Sequence, residues 1–378
     1  MTDSPCHYIW QNSAVTARYQ TAVSIHSHTQ QSRELLDFIP RYSRNIPVLC
    51  QAVQAQQDKY RRIHGKELDF RTAWWTPPLP PREAYDLERK QIENTLGLKA
   101  LVSLSDHDDI EAALHLRVLS DLRDVPISVE WTVPFGPTFF HLGVHNLPPD
   151  QAQSTMAVLS DYTEHPDEAK LAGVLEMLNG YPSTLLVLNH PLWDEICIGE
   201  AAHRATLKRF TALFGKYLHA AELNGLRYYQ ENAGVMKYAA EVGLPVISGG
   251  DRHGCEPNAN VNLTNASTFE DFVDEVRNGR QSTVLFLSQY REPVRLRLLQ
   301  GLVDVVREYP EFAEGRRKWT NRVFFQKDDG QIRTLSSLWA DGGPRVVRWF
   351  MAGVRLLESR RVRVALRFAL AERQEGVI

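Results

Sequence analysis

The chain has only four cysteines, Cys6, Cys50, Cys197 and Cys255, and no two of them stand in a CxxC pair. This spacing argues against a disulfide framework or a structural zinc ribbon and leaves reduced, mostly buried thiols as the expectation. Long apolar runs are missing too. No segment approaches the length of a bilayer span, and Met1 to Trp10 lacks a basic stretch followed by an apolar one, so a cytoplasmic location is the default expectation. Neither sign of charge dominates. With 43 basic and 46 acidic residues the formal net charge is -3, so no global field favours nucleic acid or an anionic membrane. Internal repeats and low-complexity tracts are also absent.

What is present is enough apolar material for a large core. A length of 378 residues with 43% hydrophobic content allows one big α/β domain or two ordinary ones. The 13 histidines stand out. His64, His115, His165 and His203 lie in helix-like polar stretches, whereas several others sit in short polar motifs at the ends of apolar runs. Only the second group calls for a chemical explanation.

Along the chain, strand, loop and helix alternate. Ala22 to Ile25 reads as a strand stopping at His26-Ser27-His28, and Ser32 to about Gln57 has helical spacing. The proline run after Trp74-Trp75 breaks any regular element. Arg82 to Leu96 reads as a helix, Leu98 to Leu104 as a strand ending in Ser105-Asp106-His107, and Ile110 to Leu122 as a helix. Strands follow at Val125 to Val129, ending in Glu130, at Phe139 to Val144 and at Thr184 to Leu188, ending in Asn189-His190-Pro191. Leu244 to Ile247 is a strand ending in Ser248-Gly249-Gly250-Asp251-Arg252-His253. Seven or so strands, each with ligand-type residues past its C-terminal end, suit a (β/α) barrel better than a doubly wound sheet, which gathers its site at one switch point.

After about Tyr290 the texture changes to an α+β extension. Asn321 to Leu335 reads as a hairpin around Lys327-Asp328-Asp329-Gly330. Arg345 to Ala371 reads as a basic amphipathic helix that docks on the barrel or on a second subunit.

Neutral imidazole is the commonest metal ligand near neutral pH. His26-x-His28, Asp106-His107, Glu130, His141, His190 and Asp251-x-His253 each follow an apolar, strand-like segment. Such a mixed nitrogen and oxygen set suits zinc, manganese or iron rather than calcium, and a bridging carboxylate such as Glu130 suits a cluster of two or more ions.

This series, in this order from residue 20 to 290, resembles the PHP (polymerase and histidinol phosphatase) domain family of metal-dependent phosphoesterases. The resemblance implies a distorted (β/α)7 TIM-like barrel over residues 1–290, with two or three divalent ions at its C-terminal mouth. It implies His26, His28, His107, Glu130, His141, His190, Asp251 and His253 as ligands. Two features depart from the family's pattern. No aspartate follows His28 within a few residues, where the chain reads Thr29-Gln30-Gln31-Ser32-Arg33-Glu34, leaving Glu34 as a substitute or one metal position weakened. An insertion at about 33–76 offers a lid or a substrate-selective wall.

Asp106, His107 and Arg252 are the expected catalytic groups, with Arg33, His145 and Arg252 toward substrate. Arg252 reads as a phosphate contact or a surface ion pair, Glu222 as a site residue or a helix cap, His219 as structural, and Cys255 as a small buried thiol. The expected activity is hydrolysis of a small phosphorylated metabolite or nucleotide by metal-activated water. An amidohydrolase-type C–N hydrolase and a non-catalytic binding module are the alternatives.

Overall fold

The computed structural model describes residues 5–44, 47–339, 342–357 and 359–370. Its strands, in chain order, are β1 (Cys6–Tyr8), β2 (Thr21–Ile25), β3 (Glu34–Leu35), β4 (Ala73–Trp75), β5 (Lys99–Ser103), β6 (Ser105–His107), β7 (Ile127–Phe135), β8 (Thr138–Leu147), β9 (Leu185–Leu188), β10 (Ala220–Asn224), β11 (Val246–Gly249), β12 (Asn260–Thr264), β13 (Thr283–Phe286), β14 (Val323–Gln326) and β15 (Ile332–Thr334). They form three sheets, ordered β1-β13-β12-β2-β5, β11-β10-β9-β8-β7-β6 and β15-β14-β4-β3, with helices between and around them. The result is a mixed α/β fold with a half-barrel sheet. Among the described residues no helix is long and apolar enough to cross a membrane.

The first two sheets meet at both edges. On one side β5 runs into β6 with only Leu104 between them. On the other, the segment after β11 bonds to the segment after β2: Gly250 N–H donates to Ile25 O at 3.2 Å, Asp251 N–H to His26 O at 2.7 Å and His28 N–H to Arg252 O at 2.9 Å. These bonds bring two ligand-bearing motifs side by side.

Strand β9 shows why its sequence is continuously apolar. Leu186 and Leu188 pack into a cluster with Trp131, Leu142 and Leu223, while Leu185 and Val187 face Val23, Ile25, Ala220 and Ile247. A strand covered on both faces has no use for alternation. Each of these fully buried side chains contributes roughly 2 kcal/mol of transfer free energy, before entropy is counted.

The strand-helix alternation fails between β5 and β6, between β11 and β12, and most fully between β7 and β8. β7 and β8 are antiparallel and joined directly, with no helix between them, and β8 is also antiparallel to β9. Gly136 adopts φ 59° in the connecting turn, a conformation glycine takes without steric cost. β7 therefore extends to Phe135, and Glu130 lies within the strand rather than past its end.

Other boundaries also shift. Ser32 to Gln57 is not one helix: Glu34–Leu35 is a strand, followed by helices Phe38–Ser43 and Pro47–His64. Pro47 can begin a helix but not continue one. Trp74 and Trp75 lie in β4, which ends just before the proline run. The C-terminal helix is two helices, Arg345–Leu356 and Arg360–Ala369, and Ala371 lies outside the described residues. The hairpin around Lys327 to Gly330 is present as β14 and β15.

Candidate metal centre

The donors reach one place from seven strands. His26 and His28 follow β2, Glu34 lies on β3, His107 ends β6, Glu130 is central in β7, and His141 lies on β8. His190 follows β9; Asp251 and His253 follow β11. Parallel pairing of β6 and β7 sets His107 opposite Glu130. Three of the donors have left-handed backbone: His26 at φ 63°, His190 at 26° and Asp251 at 53°. Non-glycine residues pay for that conformation, which persists only where surrounding contacts over-determine it.

Glu130 is the hub. Its Oε2 lies 2.9 Å from His26 Nε2, 3.2 Å from His28 Nε2 and 3.3 Å from His107 Nδ1, and its Oε1 lies 3.1 Å from His190 Nε2 and 3.4 Å from His141 Nδ1. Glu34 forms a second focus, with Oε1 3.3 Å from His253 Nε2 and Oε2 3.4 Å from His107 Nε2. Asp251 Oδ1 is 3.7 Å from His28 Nε2 and 3.5 Å from His253 Nδ1. Three sets of donor atoms, each mutually within 4.8 Å, overlap here: His28, Glu34, His107 and His253; His26, His28 and Glu130; His107, Glu130 and His141.

A metal fits this cluster on an independent observation. His26 Nε2, His28 Nε2, His141 Nδ1 and Glu130 Oε2 are all buried without a hydrogen-bond partner, although carboxylate and imidazole atoms stand about 3 Å apart. Ligands about 2.1 Å from a shared ion sit at such separations, and lone pairs aimed at a common point need not hydrogen-bond to each other.

Electrostatics divide the ligands: against the effect of burial, the surrounding carboxylates raise His26 and His190 above the ordinary value and His28 to about 9, so an ion would have to displace protons from those rings. Burial opposes ionisation of Glu130, yet the His26 imidazolium beside it holds its carboxyl well below the usual range. Asp251 behaves alike, held down by His28 and the Arg227 guanidinium against the effect of burial. Burial lowers His141 well below its ordinary value and outweighs the neighbouring Glu130, so its ring is neutral and fit to ligate.

A supporting shell orients the ligands. Glu222 Oε2 is 2.5 Å from His26 Nδ1, and its Oε1 accepts a bond from Asn224 Nδ2 at 2.6 Å. Asn189 Nδ2 donates to Glu130 Oε1 at 2.9 Å. A carboxylate behind a ligating histidine fixes tautomer and ring orientation. The glycines of Ser248-Gly249-Gly250 make room: a Cβ on Gly249 would overlap the Glu222 carboxylate, and one on Gly250 the Asn258 side chain.

All eight ligands expected from the sequence converge, together with Glu34. Three other expected site residues, Asp106, Arg252 and His145, bond within the protein. Asp106 turns from the cluster and accepts bonds from Thr29 N–H at 2.5 Å and Thr29 Oγ at 2.7 Å, fixing the His28 loop. Arg252 is buried, donating to Glu88 at 2.9 Å, Gly254 O at 2.8 Å and His28 O at 3.1 Å, so its guanidinium is committed to the protein and not presented to substrate. His145 is fully buried, with Nδ1 3.0 Å from Ser103 Oγ. Arg33 lies on the rim, 5.4 Å above the Trp74 ring. Cys255 keeps its proton, since burial pushes its thiol to about 11, and contacts Tyr309 Oη at 3.2 Å.

The sequence reading did not single out Glu88, Glu195 or Arg227. Glu195 Oε2 is 3.8 Å from His141 Nδ1, and Arg41 of the insertion donates to the Glu195 carbonyl at 2.6 Å. Arg227 places its guanidinium 3.2 Å from Asp251 Oδ2 and 4.2 Å above the Trp193 ring. Neither forms a motif with a ligand, so no local signal marks them.

No family profile matches the chain, and no curated protein matches it. Among solved structures, PsfC from Pseudomonas syringae PB-5123 is similar over 75% of this chain and 96% of its own, at 14% identity and a TM-score of 0.37. An amidohydrolase from Chromobacterium violaceum, with bound sulfate and no metal, is similar over 61% and 87%, at 15% identity and 0.36. A candidate metal-dependent phosphoesterase from Bifidobacterium adolescentis is similar over 68% and 95%, at 15% identity and 0.33. Likenesses at this level leave the functional case to the side chains.

Proposed function

We propose that the chain is a metal-dependent hydrolase of the PHP type, acting on a phosphate ester with two or three divalent ions of zinc, manganese or iron. The observation that carries this reading is the convergence of five imidazoles on the two oxygens of buried Glu130. A bridging carboxylate surrounded by nitrogen donors is the arrangement a multi-ion site requires. The barrel reading is supported by β2, β5 with β6, and β7 through β11, which follow one another around a ring joined by the bonds at 250–252.

When bound, such ions supply Lewis acidity toward water and toward a phosphoryl oxygen. The protein supplies the rest. His26, His28, His107, Glu130, His141, His190, Asp251 and His253 would hold the ions, with Glu34 in the place of the missing aspartate. Glu222 fixes the His26 ring. Arg227, stacked on Trp193 beside Asp251, stands in for Arg252 as the cation that orients an anionic substrate. Arg33 and the 33–76 insertion line the approach.

The test is phosphate release from a panel of monoesters and diesters, with manganese or zinc and with chelator, alongside His107→Ala. Metal-dependent release lost in that variant is the expected outcome. Cleavage of amide substrates in place of esters would move the chain to C–N hydrolysis, and an inert protein that binds no metal would end the reading.

A further inference from the structure

The third sheet joins three distant parts of the chain. β3, which carries Glu34, pairs with β4 so that Glu34 lies opposite Trp75; β4 pairs in turn with β14, setting Trp75 opposite Val323 and Trp74 opposite Phe324. Hairpin partner β15 completes it. The Trp74 and Phe324 rings stack at 5.7 Å, Thr76 N–H donates to Arg322 O at 2.9 Å, and Arg316 donates to Thr76 Oγ1 at 3.1 Å. Without β14, the two-residue strand β3 would rest on the three-residue β4 alone, and an isolated two-stranded pair is marginal in water.

The same C-terminal segment holds the His253 loop. Asp304 Oδ2 accepts the Cys255 N–H at 2.8 Å, and Tyr309 Oη meets the Cys255 thiol. Trp75 places its ring 5.9 Å from that of His253. Buried Arg322 locks the segment itself, donating to the carbonyls of Val305 at 2.8 Å, Arg307 at 2.5 Å, Arg316 at 2.7 Å and Arg317 at 3.2 Å.

We infer that the C-terminal extension, through Asp304 and strand β14, positions Glu34 and His253 and thereby sets the occupancy of the cation place formed by His28, Glu34, His107 and His253. This rests on the metal reading above. Glu34 and His253 belong only to that donor set, whereas His26, Glu130 and His141 belong only to the other two, which share His28 and His107 with it. The remaining cation places keep Glu130 in common and are expected to be less disturbed than this one. Asp304 and Phe324 are positioning residues, and neither touches the cluster.

The experiment measures metal content per full-length chain, and affinity by chelator competition, for wild type, Glu34→Gln, Asp304→Ala and Phe324→Ala, with far-UV circular dichroism as the check on folding. Both extension variants are expected to match Glu34→Gln, losing about one equivalent while keeping the others, with weakened binding recovered at raised metal concentration. Asp304→Asn, which retains an acceptor for the Cys255 N–H, should bind more nearly as wild type. Folded extension variants with full metal content and unchanged affinity would overturn the inference. So would loss of every ion together. A wild-type chain with no metal would instead overturn the metal reading itself.

Discussion

Glu222 Oε2 stands 2.5 Å from His26 Nδ1, behind a ring whose other nitrogen faces Glu130. The carboxylate is fully buried in the middle of β10 and is held by Asn224. Replacing it by Gln keeps the shape but removes the charge that makes the imidazole a better donor. Glu222→Gln should weaken metal binding by about 10- to 100-fold with little change in secondary structure. Chelator competition measures this, and unchanged affinity would show that His26 does not depend on its partner.

Gly249 approaches the same carboxylate from β11. A methyl group there forces Glu222 aside or shifts the strand, at about 1–3 kcal/mol of overpacking. Gly249→Ala should therefore lose both thermal stability and metal affinity. Loss of stability with normal affinity would separate packing from ligand orientation.

Glu88 and Arg252 form a buried pair at 2.9 Å, and Glu88 also takes bonds from Ser24 Oγ and the Asn258 N–H. Glu88→Ala strands the guanidinium in the interior and should cost about 3–5 kcal/mol by urea denaturation. Because Arg252 also donates to His28 O, the His28 loop should loosen. A cost below about 1 kcal/mol would mean that Arg252 finds other partners or water.

His219 gives a pH signature away from the metal cluster. Its Nδ1 accepts the Leu186 N–H at 2.9 Å and its Nε2 lies 3.0 Å from Asn179 Oδ1, which requires the neutral ring. Burial first, then Arg277 and Arg280, lower it from 6.5 to about 3. Between those values the unfolded chain binds the proton and the folded one does not, so folding is fully favoured above 6.5 and weakens as pH falls toward 3. The slope approaches about 1.4 kcal/mol per pH unit from this group alone. In urea melts from pH 7 to pH 5, His219→Leu should reduce the slope; an unaltered slope would assign the dependence to other groups.

Legibility followed locality. His26-x-His28, Asp106-His107 and Asp251-x-His253 were visible because each pair sits where an apolar strand stops, and a polar pair at such a boundary needs no distant partner to be noticed. The β7–β8 hairpin reads as two elements of an alternation, because strand periodicity does not reveal the direction of pairing. Glu88 sits inside an ordinary helical pattern, and nothing near it in the chain announces a buried ion pair. Arg252 was assigned to substrate from its place between two ligands, but its three protein acceptors come from residues 28, 88 and 254.

The sequence by itself determined which residue types could gather cations and, for His26, His28, His107, His190, Asp251 and His253, at which strand ends they stand, because composition and short-range spacing fix local chemistry. Tertiary structure alone decided that Glu34 joins the cluster, that Glu222 stands behind His26, and that the extension shares a sheet with the insertion. Those contacts join residues tens to hundreds of positions apart, and their energies exist only once burial has removed water and set the distances.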